Sequence, residues 1–551
     1  MRDCNIAITA CLRYKWRMYI ATVPNRKSPP AILLRESYRE HGKVKTRTIA
    51  NLTQWAPERI EALRKALKGE FDGVGGEEVS GEIFGVLFAL KQLADQVGMT
   101  RVLGRCEEGR LALFLVLARI AHGGSRLSAV RWAEQHAVSE ILGLEPFDEN
   151  ALYAALDWLQ AEQTRIEQGL YAAYLKDHGE PPAIVLYDVT SSYFEGEHNE
   201  LADYGYNRDG KKGKKQIVIG LLTGADGEPL AVRVFEGNTA DPSTVSEQIA
   251  LLQRQFGVSE VVFIGERGMI KATGKAALGA QGWRYISALT KPQIRALRQR
   301  GVLQPDLFDE DIGEVAQEDK RLIVRRNARI QHRLQARRAD KLQRLEARIA
   351  ERNAFVSQSQ RADPAAGLRQ LEHWVKRHKL TGFVTLSLEQ DQIRYQIDSE
   401  KLAEVALLDG CYVLETTVPA AHMDAQTVDA RYRDLQNVER GFRTMKTDFL
   451  EVRPIFLRNG KRTKAHVFVA MLALKITRLF QALLHKAFGT TDADPHAMTP
   501  EDALQSLARL TYLIYDVKGS RYARLIQPDA DQRALLDALG SHFPRQTAKA
   551  L

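Results

Sequence analysis

Cysteine is scarce in this 551-residue chain: Cys4, Cys11, Cys106 and Cys411 are scattered and form no CxxC pair. That spacing excludes a local zinc site and a disulfide framework, and it fits a reducing compartment. Long apolar runs are also missing. None approaches the roughly 18 residues of a membrane span, and the longest, Leu111–Ala121 and Val467–Leu474, suit buried core helices. The first 17 residues place basic side chains after a short apolar patch, the reverse of a secretory signal. No internal repeat is visible. With 44% hydrophobic and 27% charged residues the composition is that of a globular protein. At about 150 residues per domain, the length suggests three to four domains.

What is present is positive charge in one place. The net charge is +9, and residues 320–352 hold twelve Lys/Arg against three Asp/Glu, so this segment carries the whole excess. Such a segment suits a polyanion, nucleic acid first. The alternative is a solvated, arginine-rich helical arm. It has no clustered aromatic platform, so contact with DNA would be mainly through phosphate.

The pattern changes several times along the chain. Residues 18–52 read as short strands, with a hairpin turning at His41-Gly42, and the Gly-rich stretch 71–82 reads as a linker. From Ile83 to Gly179 apolar residues recur at helical spacing, with Asp148 and Asn150 offering N-caps. After Pro181-Pro182 come three apolar, β-branched strands. A helix follows, capped by Asp241 with Pro242 at its first position, and then the strand VVFIG. The basic helical arm ends near Asn353, a second β stretch follows, and helices return from Ala425 to the end. The domains expected are 1–75 (hairpin-containing), 83–179 (helical, possible DNA-end recognition), 181–300 (first part of the core), 301–424 (insertion with the basic arm and β stretch) and 425–551 (helical completion).

Three acidic residues stand out. Asp188 lies near the end of the apolar strand AIVLYDVTSSYF, where a carboxylate is costly unless paired or metal-bound. Taken alone it is equally a turn cap with Thr190 and Ser191. Glu266 closes VVFIG, at the strand end where open sheets place ligands; alone it reads better as half of an exposed Glu-Arg pair. Glu439 shares a helical stripe with Tyr432 and Lys446, seven residues apart on either side, with Arg443 one turn beyond; alone this is a surface ion-pair lattice. Together, two strand-borne acids and one helical acid could converge on a pair of Mg²⁺ ions. Tyr432, Lys446 and Arg443 are then expected to bind DNA, with Lys446 and Tyr432 contacting phosphate rather than merely balancing charge. Two further clusters offer DNA contacts: Lys211, Lys212, Lys214 and Lys215 in a Gly-rich turn, and Arg325, Arg326, Arg337 and Arg338 in the basic segment. His466 reads as a core histidine.

The stretches YDVTSSYFEGE, YGYNRDGKKGKKQIVIGLL, FEGNTADPSTV, VVFIGERGM, YRDLQNVERGFRTMKTDFLEVRPIF and KAHVFVAMLAL cover most of residues 181–475. In order and content they resemble a bacterial insertion-sequence transposase of the DDE class, IS-four superfamily, IS-sixteen-thirty-four-like branch. The resemblance implies an α/β fold: a ribonuclease-H-like catalytic core with a β-containing insertion between the second and third acids, flanked by helical regions. It implies Asp188, Glu266 and Glu439 as catalytic metal ligands for two Mg²⁺, with Mn²⁺ able to substitute. Tyr432, Glu439 and Lys446 fit the superfamily's Tyr-Arg-Glu-Lys spacing. Leu435 stands at the Arg position, for which Arg433 or Arg443 could substitute, and Glu266 stands where the family has Asp. The implied function is cleavage and strand transfer at the element's own inverted repeats, by a homodimer in a synaptic complex, nucleoid-associated in a bacterial cytoplasm and without a membrane. The alternatives are a catalytically impaired DNA-binding remnant and a ribonuclease-H-like nuclease without strand transfer. The resemblance starts near Met18, so residues 1–17 are expected to be dispensable, an upstream mis-start.

Overall fold

The computed structural model describes residues 17–550 except 26–28, 41–42, 69–76, 197, 207, 309–310, 318, 360–361, 448–449, 454, 491–496, 518–519 and 545–548. Residues 1–16, the His41-Gly42 turn and the first part of the expected linker therefore lie outside the described residues. The chain forms two compact units, one of residues 1–82, 511–527 and 544–551, the other of 83–510 and 528–543.

In the first unit, β1 (Arg17–Val23), β2 (Ala31–Glu40) and β3 (Lys43–Asn51) make an antiparallel sheet. β4 (Glu77–Ile83) belongs to a second sheet, so the later half of the stretch expected to be a linker is a strand.

The second unit is mixed α/β. Its sheet contains β5 (Ile184–Tyr193), β6 (Gln216–Gly224), β7 (Pro229–Phe235), β8 (Val262–Gly265), β9 (Arg284–Ala288), β10 (Ile312–Gln317), β11 (Lys320–Arg326) and, after the hairpin β12 (Val384–Glu389) and β13 (Gln392–Ile397), β14 (Cys411–Thr416). The order is β10-β11-β14-β9-β8-β5-β6-β7. β5 pairs antiparallel with β6 and parallel with β8, and β8 pairs parallel with β9. Three meandering strands followed by two parallel ones, with the first strand central, is consistent with a ribonuclease-H-like core. Every position of β6 is buried, which its unbroken apolar run QIVIGLLTG requires of a strand covered on both faces. Near the C terminus β15 (Thr511–Val517), β16 (Ser520–Leu525) and β17 (Lys549–Ala550) join β4, so the helices expected to continue to the end are interrupted by strands of the first unit.

Side chains alternate across β5. Val185, Tyr187 and Val189 enter a core with Val245, Ile249 and Leu252 of the helix Asp241–Arg254. The even-numbered residues, Asp188 among them, therefore face the other side. There the helix Leu435–Lys446 packs on β5. The helix Gly460–Phe488 is long and apolar enough to cross a membrane, but most of its apolar window is buried and it packs on β7 and on the helix Glu149–His178.

The basic segment is two structures. Residues 320–326 form β11 in the core sheet, because Leu322, Ile323 and Val324 are buried there. Arg325 and Arg326 thus lie on a strand, and the expected arm begins only at Ala328, as the helix Ala328–Gln358. Its later half is anchored: Leu345 and Ile349, one turn apart, enter a small core with Leu371, Val375 and Ile393. Asn327 caps this helix by accepting the Ile330 N–H at 3.1 Å. Asn327→Ala is expected to destabilise the first turn by about 1 kcal/mol, read as roughly fivefold faster amide exchange at Ile330. Unchanged exchange would show that the preceding strand alone holds the helix start.

Candidate active site

Asp188 sits in the middle of β5, not near its end, and is only 8% exposed. Its carboxylate accepts one described hydrogen bond, from the Val189 N–H at 2.7 Å, so it does not cap a turn with Thr190 and Ser191. Tyr187 is in register with Gly265 across the parallel pair β5–β8. The residue after each of these is an acid, Asp188 on β5 and Glu266 just past the end of β8, so their backbones are neighbours. The Glu266 backbone is fixed by a turn in which its carbonyl accepts from the Met269 N–H at 3.1 Å and the Ser287 hydroxyl at 3.3 Å.

Glu439 arrives from the helix Leu435–Lys446. The expected single helix is two, Ala425–Arg433 and Leu435–Lys446, joined at Asp434, whose backbone stays near-helical (φ −61°, ψ −16°). Tyr432 is therefore on the first and Glu439 on the second. Lys446 fixes the register of the second helix on β5. Its ammonium donates to Thr190 Oγ1 at 2.6 Å, to Asp209 Oδ1 at 3.1 Å and to the Ser191 carbonyl. Thr190 is on the same face of β5 as Asp188, and Glu439 lies two helical turns back from Lys446 on one stripe. All three Lys446 protons are used within the chain, so in this structure it is placed to hold the helix.

The acids are within electrostatic reach of one another. Burial pushes the Asp188 carboxyl up to about 7, helped by Glu266 and Glu439 and opposed by the Val189 N–H and Arg208. Partial desolvation also raises Glu266; Arg208 and Arg267 oppose this, while Glu439 and Asp241 add to it. The Tyr432 hydroxyl is pushed up to about 12, first by burial. Among the described residues no three His, Cys, Asp or Glu side chains are already grouped to hold a metal ion. The donor set nonetheless fits a hard divalent cation. It offers carboxylate oxygens only, and the Asp188 carboxylate is buried with a single described hydrogen bond among mutually repelling acids.

Three contributors were not singled out in the sequence. Arg208 acts electrostatically on Asp188 and Glu266 and pairs with Asp241 at 2.5 Å. Asp241 is the first helical residue and makes no cap hydrogen bond; Ala240 occupies the cap position, so the expected cap is displaced by one. Asp209 joins Lys446 to Arg453 (2.7 Å). The signal was an acid between Arg208 and a lysine-rich turn, where bulk charge masks a single buried carboxylate.

The remaining basic residues divide. Arg443, Lys212 and Arg337 are exposed. Lys214 pairs with Glu195 at 2.5 Å, and Lys211 and Lys215 lie over Tyr193 and Tyr204. Exposed Tyr204 and Tyr206 interleave with these lysines. Arg338 pairs with Asp409, and Arg325 approaches Asp429 at 3.6 Å and bonds the Asp311 carbonyl. His466 is a buried core residue bonded to Arg126 and the Val452 carbonyl.

Residues 179–476, more than half of the chain, match the family model of the transposase DDE domain. The chain is a DDE transposase. Residues 20–78 match the N-terminal domain of the IS1634 family transposases, and it is to that family that the protein belongs. Comparison with curated protein sequences gives no match. Among solved structures, a piggyBac transposase synaptic complex with hairpin DNA is similar at 8% identity and TM-score 0.35, over 77% of this chain and 78% of that one. A Mos1 paired-end complex with a left transposon end is similar at 13% identity and TM-score 0.15, over 33% of this chain and 58% of that one.

Proposed function

We propose that this transposase binds the inverted-repeat ends of its own element, cleaves a strand there and joins the freed end to target DNA. The observation that carries this reading is the buried Asp188 carboxylate, raised to about 7 by burial and by the charges of Glu266 and Glu439. Asp188, Glu266 and Glu439 would hold divalent ions, Mg²⁺ or Mn²⁺. When bound, such ions supply charge stabilisation at phosphate oxygens and a lowered pKa for the attacking water. Glu266 and Glu439 are both exposed, so their side chains are free to swing toward Asp188.

The chain's own residues position the reaction. β5 carries Asp188, the end of β8 fixes the backbone of Glu266, and Lys446 sets the helix that carries the third acid. Arg208 is placed to draw a scissile phosphate toward the acids. Water attack on the phosphodiester breaks the bond to the 3′ oxygen, leaving a 3′-hydroxyl and a 5′-phosphate. That hydroxyl then attacks a target phosphodiester, displacing the target's 3′ oxygen. A homodimer pairing two ends completes the reading.

Incubating the protein with a plasmid carrying the element's ends and Mg²⁺ tests it. Cleavage with joined products is the expected result. Cleavage without joining would leave a nuclease, and binding without cleavage a DNA-binding remnant.

The first half of the arm helix is read as a phosphate-contacting stripe. Arg329, Arg333 and Arg337 are exposed at four-residue spacing. Replacing Arg333 and Arg337 by alanine should weaken binding to all DNA sequences several-fold. The slope of log affinity against log salt should fall by roughly 2, at about 0.9 per phosphate contact. An unchanged slope would reassign the stripe to protein contacts or solvent.

A further inference from the structure

We infer that the cavity lined by Arg119, Arg126, Tyr153, Arg453, Phe456 and Arg458 is a phosphate-binding pocket, placed to take a phosphodiester of a strand leaving the acidic crevice. Its volume is about 570 Å³. Five arginines and two glutamates, Glu149 and Glu451, line it.

The charges inside are not balanced. Arg462 is matched by Asp157 at 2.8 Å and Arg453 by Asp209. Arg119, only 9% exposed, donates to the Gly123 and Gly124 carbonyls and to no carboxylate. Arg126 donates to His466 Nδ1 at 2.6 Å, and its Nε is buried without a partner. His466 Nε2 faces the Val452 carbonyl at 3.1 Å and must donate there. Its Nδ1 is then an acceptor, so the imidazole is neutral and cannot offset Arg126. Glu451 and Glu149 act on these arginines at longer range, and neither closes an ion pair with them. Buried cations without an anion are costly, and a phosphate would satisfy both.

Two further features point the same way. The helix Arg126–Ala133 begins at the cavity wall, where its N-terminal end favours an anion. Burial and the approach of Arg126 lower Arg119 to about 10, as expected of cations crowded together in an apolar wall.

The pocket connects to the acids through a fixed chain. Arg453 binds Asp209, Asp209 binds Lys446, and Lys446 binds Thr190, two residues from Asp188 on the same face. Phe456, 65% exposed at the rim, offers a surface on which a base can stack. The DNA origin of the phosphate rests on the transposase reading; the pocket's affinity for phosphate does not.

The test uses the full chain without metal, so cleavage plays no part. Inorganic phosphate and a mixed-sequence DNA strand are titrated against wild type, Arg126→Met, Arg458→Ala and Phe456→Ala. Both arginine variants are expected to bind inorganic phosphate about fivefold more weakly, and DNA likewise. Phe456→Ala should weaken DNA about fivefold, near the lower limit for one stacked base, and leave inorganic phosphate unchanged. DNA that displaces inorganic phosphate identifies the strand as its source. If DNA does not compete, the pocket stands as a free-anion site and the DNA source is rejected. Arg458 is exposed, so its variant keeps the test valid should Arg126→Met fail to fold. Wild type that binds no phosphate, or a folded Arg458→Ala variant with unchanged phosphate affinity, overturns the inference. A protein that never cleaves DNA yet shows these phosphate effects would refute the proposed function and leave the pocket intact.

Discussion

Asp188→Asn is expected to lower metal-dependent strand cleavage at least about a thousandfold, a loss of roughly 4 kcal/mol of transition-state stabilisation, while making the metal-free protein more stable at pH 8. The two effects share a cause. Asp188 is buried in the middle of β5, and its carboxyl is raised from the ordinary carboxylate range to about 7. Between about pH 4 and pH 7 the folded protein keeps a proton that the unfolded chain has released. Folding stability contributed by this group is therefore complete below about pH 4 and is lost as pH rises through 7. Three pKa units correspond to about 4 kcal/mol at most, shared with its acidic neighbours. Asparagine keeps an oxygen for the Val189 N–H and carries no charge. The variant should then gain on the order of 1–4 kcal/mol over wild type at pH 8 and nothing near pH 4. Saturating Mg²⁺ should stabilise wild type at pH 8, because a ligand bound only to the folded state adds stability. It should do much less for the variant. Thermal unfolding of both proteins at pH 4 and 8, with and without Mg²⁺, checks this. Equal melting shifts at the two pH values would mean that Asp188 is not a charge waiting for a cation.

The sequence carried the core strands and the acids because both leave local marks. The apolar runs around Asp188 and before Glu266 read as buried strands, and both proved central in the sheet. The register that sets Tyr187 opposite Gly265, and so Asp188 beside Glu266, is a long-range pairing with no local signal. Other features were obscured by composition. The basic residues of 320–326 looked continuous with the arm because charge outweighed the short run Leu322-Ile323-Val324, which is what inserts β11 into the sheet. Lys446 read as part of a surface ion-pair lattice because its partners, Thr190 and Asp209, lie more than 230 residues away. The break at Asp434 was invisible for a different reason. No proline or glycine marks it, and its backbone remains close to helical.

Glu266→Asp is expected to raise Mg²⁺-dependent cleavage at least tenfold, the equivalent of about 1.4 kcal/mol of barrier. The family resemblance places aspartate at this position, and the local geometry makes the difference in reach matter. The backbone at 266 cannot adjust easily, since Gly265 ends a strand in register with β5 and the Glu266 carbonyl is held in a turn. The additional methylene must therefore be absorbed by the side chain alone. Asp188 is fixed from the adjacent strand, so only one acid of this pair can move to suit the other. Glutamate also has one more rotatable bond to order when it binds a cation. The shorter carboxylate should hold the pair of acids at a separation nearer to that needed for two oxygens of an in-line displacement. Mn²⁺, which tolerates distorted coordination better, should narrow the gap between the two forms. DNA binding without metal should hardly change, because the charge is the same. Cleavage by both proteins with each metal, measured beside metal-free binding, separates the possibilities. Equal or lower activity of the aspartate form would show either that the surroundings, with Arg208 and Arg267 drawn to this carboxylate, have adapted to glutamate, or that Glu266 does not hold metal. Calorimetric Mn²⁺ titration then decides between these two: unchanged affinity in Glu266→Gln would remove Glu266 from the metal-binding acids.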